Sequence, residues 1–234
     1  MMNIVITGAS KGMGKTIAVL MASKGANLAL CARNNNDLLL LKKELQQQYP
    51  KINIYIESVD CAKKEAVLHF AQNVLDYFGH IDILVNNVGI FKPANILDED
   101  DDALENHMNV NLYAPYFLYK KIGKSMRERK SGTIINICSV ASKEIIVSAG
   151  SYCVTKTALL SLNNIMREEL KKHDVKVTAI LPGSTFTSSW EGVQIPREEF
   201  VQAEDIAEMV YSVINISKGA NVDEITIKPL HGQI

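Results

Sequence analysis

The sequence lacks the features that mark metal-binding, membrane-spanning or nucleic-acid-binding proteins. Its four cysteines show no C-x-x-C spacing and its five histidines form no ligand-spaced pair, so no structural zinc site is expected. No apolar run approaches the ~18 residues that a membrane span needs. The net charge is -1, so the sequence lacks the excess of basic residues that is typical of nucleic-acid-binding proteins. We therefore expect no metal, membrane or nucleic acid as a partner.

The size of the chain and its first residues indicate one cytoplasmic domain. With 234 residues and 47% hydrophobic residues, the chain is ample for one α/β domain and short for two, so we expect a single domain over 1–234. "NIVIT" at residues 3–7 is already strand-like, which argues against a signal peptide. Without a disulfide pattern, reduced cytosolic thiols are the default.

Short apolar runs alternate with longer amphipathic stretches along the whole sequence. This alternation predicts a single-domain, Rossmann-like α/β fold, a doubly wound parallel sheet of about seven strands with helices on both faces. The predicted strands cover residues 3–7, 27–32, 52–58, 82–87, 132–138, 176–182 and 223–228. The predicted helices fall near residues 13–24, 35–49, 62–78, 101–130, 150–173 and 203–217. One long irregular segment, residues 183–202, remains, and loops of that length are usually functional or disordered.

The first turn, "TGASKGMGKT" at residues 7–16, is compatible with two kinds of phosphate site. Residues 9–16, "ASKGMGKT", fit a relaxed P-loop pattern, in which Lys15 and Thr16 would bind phosphate and Mg²⁺. A P-loop protein also needs an acidic residue at the end of another strand to support the metal. The best-placed strand end, "DILVNN", finishes in Asn86 and Asn87 instead, which disfavours the P-loop.

The same turn also fits a dinucleotide site. Its glycines, Gly8, Gly12 and Gly14, let the backbone approach a pyrophosphate, and the helix that follows offers unpaired N–H groups. In a doubly wound sheet, ligands bind at the carboxyl ends of the strands, which is where this turn lies. The glycine spacing alone is weak support, because it is not the G-x-G-x-x-G pattern.

The second half of the sequence decides between the two interpretations. "INICSVAS" ends a strand at Ser139, and "YCVTK" places Tyr152 and Lys156 four residues apart on one helical face. With the glycine turn, "NNVG" and Asn111 in "NVNL", the chain resembles the short-chain dehydrogenase/reductase family in its one-domain form. The resemblance runs from the first strand to about Thr187.

These residue types suit the reduction of a carbonyl group, with hydride going to carbon and a proton to oxygen. Tyr152 has a proton to give, and the Lys156 ammonium nearby would stabilise the phenolate. Ser139 can donate a hydrogen bond to the carbonyl oxygen, where negative charge develops. The resemblance implies that Asn111 holds a water that links Lys156 to solvent. Each of the four residues also has an alternative role when it is taken singly. Ser139 could be a helix cap and Tyr152 an interface aromatic. Lys156 could be a solvated charge and Asn111 a buried polar group bridging strands.

The resemblance also implies contacts with a nicotinamide dinucleotide. Asp60 can contact adenine or cap the helix after it, and the two roles are compatible. The predicted cofactor residues are Gly8, Ser10, Lys11, Gly12, Met13, Gly14, Arg33, Asp60, Asn87, Gly89, Tyr152, Lys156, Pro182, Gly183, Thr185 and Thr187.

The end of the second strand favours NADP(H) over NAD(H). An NAD enzyme of this architecture usually has an acidic residue there to bind the ribose hydroxyls. This chain has Ala32 and then Arg33, with no acid before Asp37. Arg33, with Lys11 from the glycine turn, can bind a 2′-phosphate through charge-assisted hydrogen bonds.

The predicted function is that of an NADP(H)-dependent carbonyl reductase or alcohol dehydrogenase acting on a small carbonyl or secondary alcohol. Two alternatives remain, a non-catalytic dinucleotide-binding sensor and a P-loop nucleotide-binding protein. By resemblance, residues 183–202 close over the substrate, where Trp190 either gates the pocket or pins the loop. Relatives that reduce acyl-carrier-protein thioesters end in a "DGG"-like tail that this chain lacks. The family also implies a homodimer or homotetramer, built on residues 101–130 and 150–173.

Overall fold

A seven-stranded parallel sheet organises the chain. The computed structural model describes residues 1–187, 190, 192 and 194–233. The strands are β1 Asn3–Thr7, β2 Asn27–Ala32, β3 Ile54–Ser58, β4 Ile83–Asn86, β5 Gly132–Ile137, β6 Val175–Pro182 and β7 Glu224–Ile227. They lie in the order β3-β2-β1-β4-β5-β6-β7, and every neighbouring pair is parallel. The predicted Rossmann-like doubly wound fold is confirmed.

Helices connect successive strands, as parallel pairing requires. They are α1 Gly12–Ser23, α2 Asn35–Gln48, α3 Lys64–Phe78, α4 Ala103–Met108, α5 Ala114–Leu118, α6 Lys124–Arg129, α7 Gly150–Leu170 and α8 Ala203–Asn215. The stretch predicted as one helix, residues 101–130, is interrupted by π-helical turns at Asn109–Tyr113 and Tyr119–Gly123. Such turns are rare and frequently occur at functional sites.

Both faces of the sheet are covered by apolar side chains, which explains why its strands are almost wholly apolar. Every residue of β1 and β2 is buried. One core cluster joins one face of the sheet to α1, α2 and α8, and a second joins the other face to α3, α5 and α7. Among the described residues, no helix has the length and apolarity of a membrane span.

The strand order reverses at β1, which pairs with β2 on one side and β4 on the other. In open parallel sheets the crevice beside such a switch point is where ligands bind. The turns that follow β1 and β4 begin with Gly8 and Asn87. The fold therefore places the glycine turn and the "NNVG" segment side by side at one edge of the sheet.

Three buried asparagines attach α7 to the sheet. The Asn86 side chain donates a hydrogen bond of 2.8 Å to the Asn136 side chain, which donates one of 2.9 Å to Asn163. Asn86 and Asn136 are paired in the β4–β5 register, and Asn163 lies on α7 two turns after Lys156. All three are at most 1% exposed. This asparagine ladder fixes the position of the helix that carries Tyr152 and Lys156.

Candidate active site

The glycine turn after β1 is shaped by its three glycines. Gly8 and Gly12 have φ angles of +65° and +50°, a region that residues with a side chain rarely adopt. A Cβ on Gly14 would lie 2.3 Å from the Gly8 carbonyl oxygen and 2.5 Å from Asn87 Nδ2. The start of α1 can approach the turn this closely only because Gly14 has no side chain. Gly14 therefore underlies the turn and does not line the cleft.

A cleft of about 810 Å³ opens above this turn, within the size range of small-molecule sites. Its walls come from the ends of β1, β2, β3 and β4 and from the region of α4. The predicted cofactor residues on these walls are Gly8, Ser10, Lys11, Gly12, Met13, Arg33, Asp60, Asn87, Gly89 and Thr187.

Asn87 braces the two sides of the crevice. Its Nδ2 donates hydrogen bonds to the backbone oxygens of Thr7, at 2.8 Å, and Gly8, at 3.2 Å. The Asn87 and Val88 N–H groups both donate to Thr7 Oγ1. Asn87 Oδ1 is buried and has no hydrogen-bond partner among the described residues. A buried acceptor on the cleft wall suits a ligand hydroxyl, so these residues fit a dinucleotide.

Lys15, the residue on which the P-loop interpretation depends, does not line the cleft. Its ammonium lies 3.4 Å from Glu44 Oε2 on α2, and Thr16 donates to the Gly12 carbonyl oxygen, at 3.2 Å. Both side chains are thus used within the helical layer. Their placement is what the dinucleotide interpretation requires.

The far end of the cleft carries both basic residues predicted there, and an acid as well. Arg33 and Lys11 line this end, and the Lys11 ammonium lies 3.7 Å from Asp37 Oδ2. Asp60 also lines the cleft, and its Oδ1 accepts a hydrogen bond of 3.1 Å from the Ala62 N–H, in the turn that leads to α3. The Lys11–Asp37 ion pair was not anticipated from the sequence.

Lys156 lies on α7, 4% exposed, behind the wall of the cleft and not on it. Its ammonium donates a hydrogen bond of 2.9 Å to the Ile137 carbonyl oxygen and lies 5.7 Å from the centre of the Tyr152 ring. A Cβ on Gly89 would lie 3.6 Å from Lys156 Nζ and 3.5 Å from Asn111 Oδ1. Lys156 and Asn111 therefore converge beside Gly89, which lines the cleft.

Asn111 lies in the first π-helical turn and is fully buried. Its Oδ1 accepts from the Ile90 N–H at 2.8 Å, and its Nδ2 donates to the Ile90 carbonyl oxygen and to Thr155 Oγ1, both at 3.1 Å. Asn111 thus joins the segment after β4 to α7, next to Lys156.

Ser139 and Tyr152 are the other two predicted catalytic residues, and neither is among the residues that line the cleft. Ser139 follows β5, and its Oγ accepts a hydrogen bond of 3.1 Å from the Ala141 N–H. The Tyr152 ring is half-buried and meets the Phe91 ring edge-on, with centres 4.9 Å apart. Among the described residues, neither hydroxyl donates a hydrogen bond, so both protons are available to a bound oxygen.

Burial raises the pKa of the Cys138 thiol, next to Ser139, to about 12, so that thiol is not a nucleophile near neutrality.

Of the predicted cofactor residues that follow β6, Pro182, Gly183 and Thr185 do not line the cleft. Pro182 ends the strand, Gly183 donates to the Ile227 carbonyl oxygen at 2.7 Å, and Thr185 is buried. A Cβ on Gly183 would lie 2.4 Å from Gln233 Nε2, so the C-terminal segment lies against this glycine. Thr187 reaches the cleft, where it lies against Gly12.

The loop predicted over residues 183–202 is described only in part, since residues 188, 189, 191 and 193 lie outside the described residues. The Trp190 ring lies against Phe200, with ring centres 4.9 Å apart, and Phe200 is buried. Phe200 belongs to the same loop, so this contact is compatible with either role for Trp190.

Sequence reasoning missed a carboxylate clamp at the start of α7. The Ser151 N–H donates to Glu99 Oε1 at 2.8 Å, and the Ser151 hydroxyl donates to Glu99 Oε2. These hydrogen bonds lower the pKa of the Glu99 carboxyl. A helix N-terminus favours an acidic group, but the contact spans 52 residues of sequence, so no local pattern reveals it.

His107 was also missed. It is 2% exposed, it lines the cleft, and its ring centre lies 6.4 Å from that of Tyr152. It precedes Asn111 by four residues, so the two lie one helical turn apart on one face. That spacing was the available signal.

The comparisons with known proteins agree with this geometry. The family model described as short chain dehydrogenase matches residues 2–197. An uncharacterized oxidoreductase of Staphylococcus aureus is 31% identical over 97% of this chain and 96% of its own length. A counterpart in Staphylococcus haemolyticus is 28% identical over the same shares.

Solved structures resemble the chain over its whole length. An alcohol dehydrogenase from the archaeon Thermococcus sibiricus, complexed with 5-hydroxy-NADP, has a TM-score of 0.91 at 27% identity and covers 100% of this chain and 99% of its own. A metagenomic short-chain oxidoreductase in complex with NADP scores 0.85 at 30% identity, covering 97% and 96%. L-Sorbose reductase from Gluconobacter frateurii, with NADPH and L-sorbose, scores 0.90 at 25% identity, covering 97% and 95%. The chain belongs to the short-chain dehydrogenase family of oxidoreductases.

Proposed function

We propose that the protein is an NADP(H)-dependent carbonyl reductase, or alcohol dehydrogenase in the reverse direction, with Tyr152 as its acid and base. The observation that carries the proposal is the convergence of Lys156 and Asn111 beside Gly89, which lines the cleft, with the Tyr152 ring centre 5.7 Å from the Lys156 ammonium. A protein that only sensed a dinucleotide would have no use for a proton-transfer group at this position. The presence of Tyr152, Lys156 and Asn111 together therefore favours the enzyme over the sensor.

Bound NADPH would supply hydride to the substrate carbon. The Tyr152 hydroxyl would give its proton to the substrate oxygen, and Ser139 would donate a hydrogen bond to the same oxygen as negative charge develops there. The Lys156 ammonium, held by the Ile137 carbonyl oxygen, would stabilise the Tyr152 phenolate that remains. Asn111 would hold the water through which Lys156 exchanges protons with solvent.

The glycine turn and the "NNVG" segment would hold the cofactor. Backbone N–H groups at the start of α1 would bind the pyrophosphate, and the Asn87 Oδ1 acceptor would receive a hydroxyl. Asp60 would contact the adenine while it braces the turn before α3. The residues after β6, Pro182, Gly183 and Thr185, would approach the nicotinamide end.

Arg33 would bind the 2′-phosphate of NADP(H), because it lines the far end of the cleft and is exposed there. Lys11 lies beside the same end but is ion-paired with Asp37, so it would have to turn from that carboxylate to the phosphate. Exposed ion pairs contribute about 0.2–1 kcal/mol, so the exchange is inexpensive. The presence of NADP or NADPH in similar solved structures supports this preference.

The proposal also covers the remaining features. Residues 1–234 would form one cytoplasmic NADP(H)-binding reductase domain, and residues 183–202 would close over a small carbonyl or alcohol substrate. We further propose a homodimer or homotetramer built on α4 to α6 and α7. The exposed apolar side chains Tyr113, Tyr116 and Ile165 on these helices support such an interface.

The test of the proposed reaction is NADPH oxidation with a panel of ketones and aldehydes, for the wild type and Tyr152→Phe. The variant should lose turnover by about 10²–10⁴-fold, the usual contribution of a proton-transfer group, and keep its NADPH affinity within a few fold. A Tyr152→Phe variant with near-native kcat would contradict the proposed mechanism. Wild-type protein that binds NADPH but reduces no carbonyl would favour the sensor.

The test of cofactor preference is kcat/KM with NADPH and NADH for the wild type and Ala32→Asp/Arg33→Ile. Loss of Arg33 should lower NADPH affinity by about 10- to 100-fold, because hydrogen bonds to charged groups contribute about 1.5–3 kcal/mol. Asp37→Asn is a companion variant that tests Lys11. It should raise NADPH affinity, because Lys11 is then no longer paired with a carboxylate. A wild type that prefers NADH would refute the role of Arg33.

A further inference from the structure

We propose that His107 is a specificity-determining residue that accepts a hydrogen bond from a substrate hydroxyl next to the reacting carbonyl. The substrate class would then be α-hydroxy ketones in one direction and vicinal diols in the other. This inference rests on the proposed function, since it uses the same cleft and the same Tyr152. It adds the chemical group by which the enzyme would choose among carbonyl compounds.

The first support is the location of His107. It lines the cleft together with Ala103, Asn106 and Val110, from the face of α4 and the π-helical turn that looks toward α7. Its ring centre lies 6.4 Å from the Tyr152 ring centre, with the rings nearly perpendicular at 72°. One small molecule can therefore contact both side chains through oxygens on adjacent carbons.

The second support is the state of the two ring nitrogens. Nδ1 lies 2.8 Å from the Ala103 carbonyl oxygen, which can only accept, so Nδ1 carries the proton. In the neutral ring Nε2 is then an acceptor. Nε2 is buried and has no hydrogen-bond partner among the described residues. Buried polar groups are nearly always satisfied, so an orphaned acceptor at a cleft indicates a partner that arrives with the ligand.

The third support is the charge around His107. The residues just before α4 bring Asp100 and Asp102 to the cleft wall, and Lys92, which also lines the cleft, is ion-paired with Asp100. This wall is therefore more negative than positive and opposes a carboxylate or phosphate on the substrate. A neutral donor is the group that suits both the acceptor and its surroundings, and a hydroxyl is the neutral donor that accompanies a carbonyl most simply.

The reaction on such a substrate needs NADPH and one solvent proton, which returns Tyr152 from phenolate to phenol, and no other reactant. Hydride from NADPH forms a C–H bond at the carbonyl carbon, the C=O π bond breaks toward oxygen, and the Tyr152 proton completes the new hydroxyl. The ketone is reduced to an alcohol and NADPH is oxidised to NADP⁺. The neighbouring hydroxyl keeps its proton and only donates to His107 Nε2.

The experiment compares matched ketones that differ by one hydroxyl. NADPH oxidation is measured with butan-2-one, 3-hydroxybutan-2-one and the anionic 2-oxobutanoate, for the wild type, His107→Leu and His107→Gln. The hydroxy ketone should exceed butan-2-one in kcat/KM by about tenfold or more in the wild type, because a site built for a hydroxyl discriminates against the compound that lacks it. 2-Oxobutanoate should be the poorest substrate of the three.

The variants test whether His107 is the cause. His107→Leu should bring the ratio of the two neutral ketones close to one, whereas His107→Gln, which keeps a side-chain acceptor, should retain part of the preference. His69→Leu is the control, since His69 is exposed on α3 and does not line the cleft. NADPH binding and thermal unfolding report whether each variant is folded. If His107→Leu is not folded, the wild-type ratio and the ratio for His107→Gln decide whether His107 selects the hydroxy ketone.

The outcomes separate this inference from the proposed function. Equal kcat/KM for the two neutral ketones in the wild type would overturn the role of His107 and leave the reductase intact. So would a preference for 2-oxobutanoate, which would make His107 a cation that binds carboxylates, or a folded His107→Leu with the full wild-type ratio. If none of the carbonyl compounds supports NADPH oxidation by the wild type, the proposed function itself fails and this inference fails with it.

Discussion

Removing the middle asparagine of the ladder, in Asn136→Ala, should destabilise the fold severely. Asn136 accepts a hydrogen bond from Asn86 Nδ2 and donates one to Asn163 Oδ1, and all three side chains are buried. Alanine fits a strand but reaches neither neighbour. The substitution would therefore leave one buried donor and one buried acceptor without partners.

The size of the effect follows from those two orphaned groups. Each unsatisfied buried polar group costs about 1–3 kcal/mol, so the free energy of unfolding should fall by about 2–6 kcal/mol. A typical domain has about 5–15 kcal/mol in total. For a chain of this length, 1 kcal/mol corresponds to about 2–4 °C, so Tm should fall by about 4–24 °C.

Thermal unfolding followed by circular dichroism measures this effect, with Asn215→Ala as the control. Asn215 is exposed at the end of α8, and its side chain donates a hydrogen bond to the Tyr211 carbonyl oxygen. Its removal should change stability by about 0.5 kcal/mol or less. Equal Tm shifts for the two variants would refute the ladder, as would exact additivity of Asn136→Ala with Asn163→Ala, because the second removal takes away a group that the first has orphaned.

Two further predictions concern the glycine turn and the Glu99 clamp. Gly14→Ala should abolish NADPH binding while Lys15→Met leaves reductase activity nearly intact, and comparable losses from the two would revive the P-loop interpretation. Because hydrogen bonds from Ser151 lower the pKa of Glu99, its stabilisation is complete above the ordinary carboxyl value of 4.5 and is lost as the pH falls through the lower folded-state value. Wild type and Glu99→Gln should thus differ in Tm near neutrality and converge in acid, and a pH-independent difference would contradict the clamp.

The sheet could be predicted from the sequence because its signal is local. Strands covered on both faces are mostly apolar, and each predicted strand lies within two residues of the observed one at either end. The π-helical turns within residues 101–130 were not predicted, since apolar periodicity does not distinguish one continuous helix from one with π turns. The glycine turn was recognisable because positive φ and close approach leave glycine as the residue that fits.

The parts of the site that escaped prediction depend on contacts between distant segments. Glu99 meets Ser151, and Lys11 meets Asp37, across gaps that no short pattern spans. The Lys11–Asp37 pair shows the limit most clearly. Asp37 was visible in the sequence, but only the fold of α2 brings its carboxylate against Lys11, where it modifies the site expected for the 2′-phosphate.

The most direct test of the central claim is to follow the transferred hydrogen. NADPH carrying deuterium on one or the other face of nicotinamide C4 is incubated with a ketone that the enzyme reduces, and the alcohol is analysed by mass spectrometry. We expect one deuterium on the carbinol carbon from one of the two labelled cofactors and none from the other, since a fixed site presents a single face. Alcohol without deuterium from either cofactor, or NADPH loss without alcohol, would contradict the assignment as a hydride-transferring reductase.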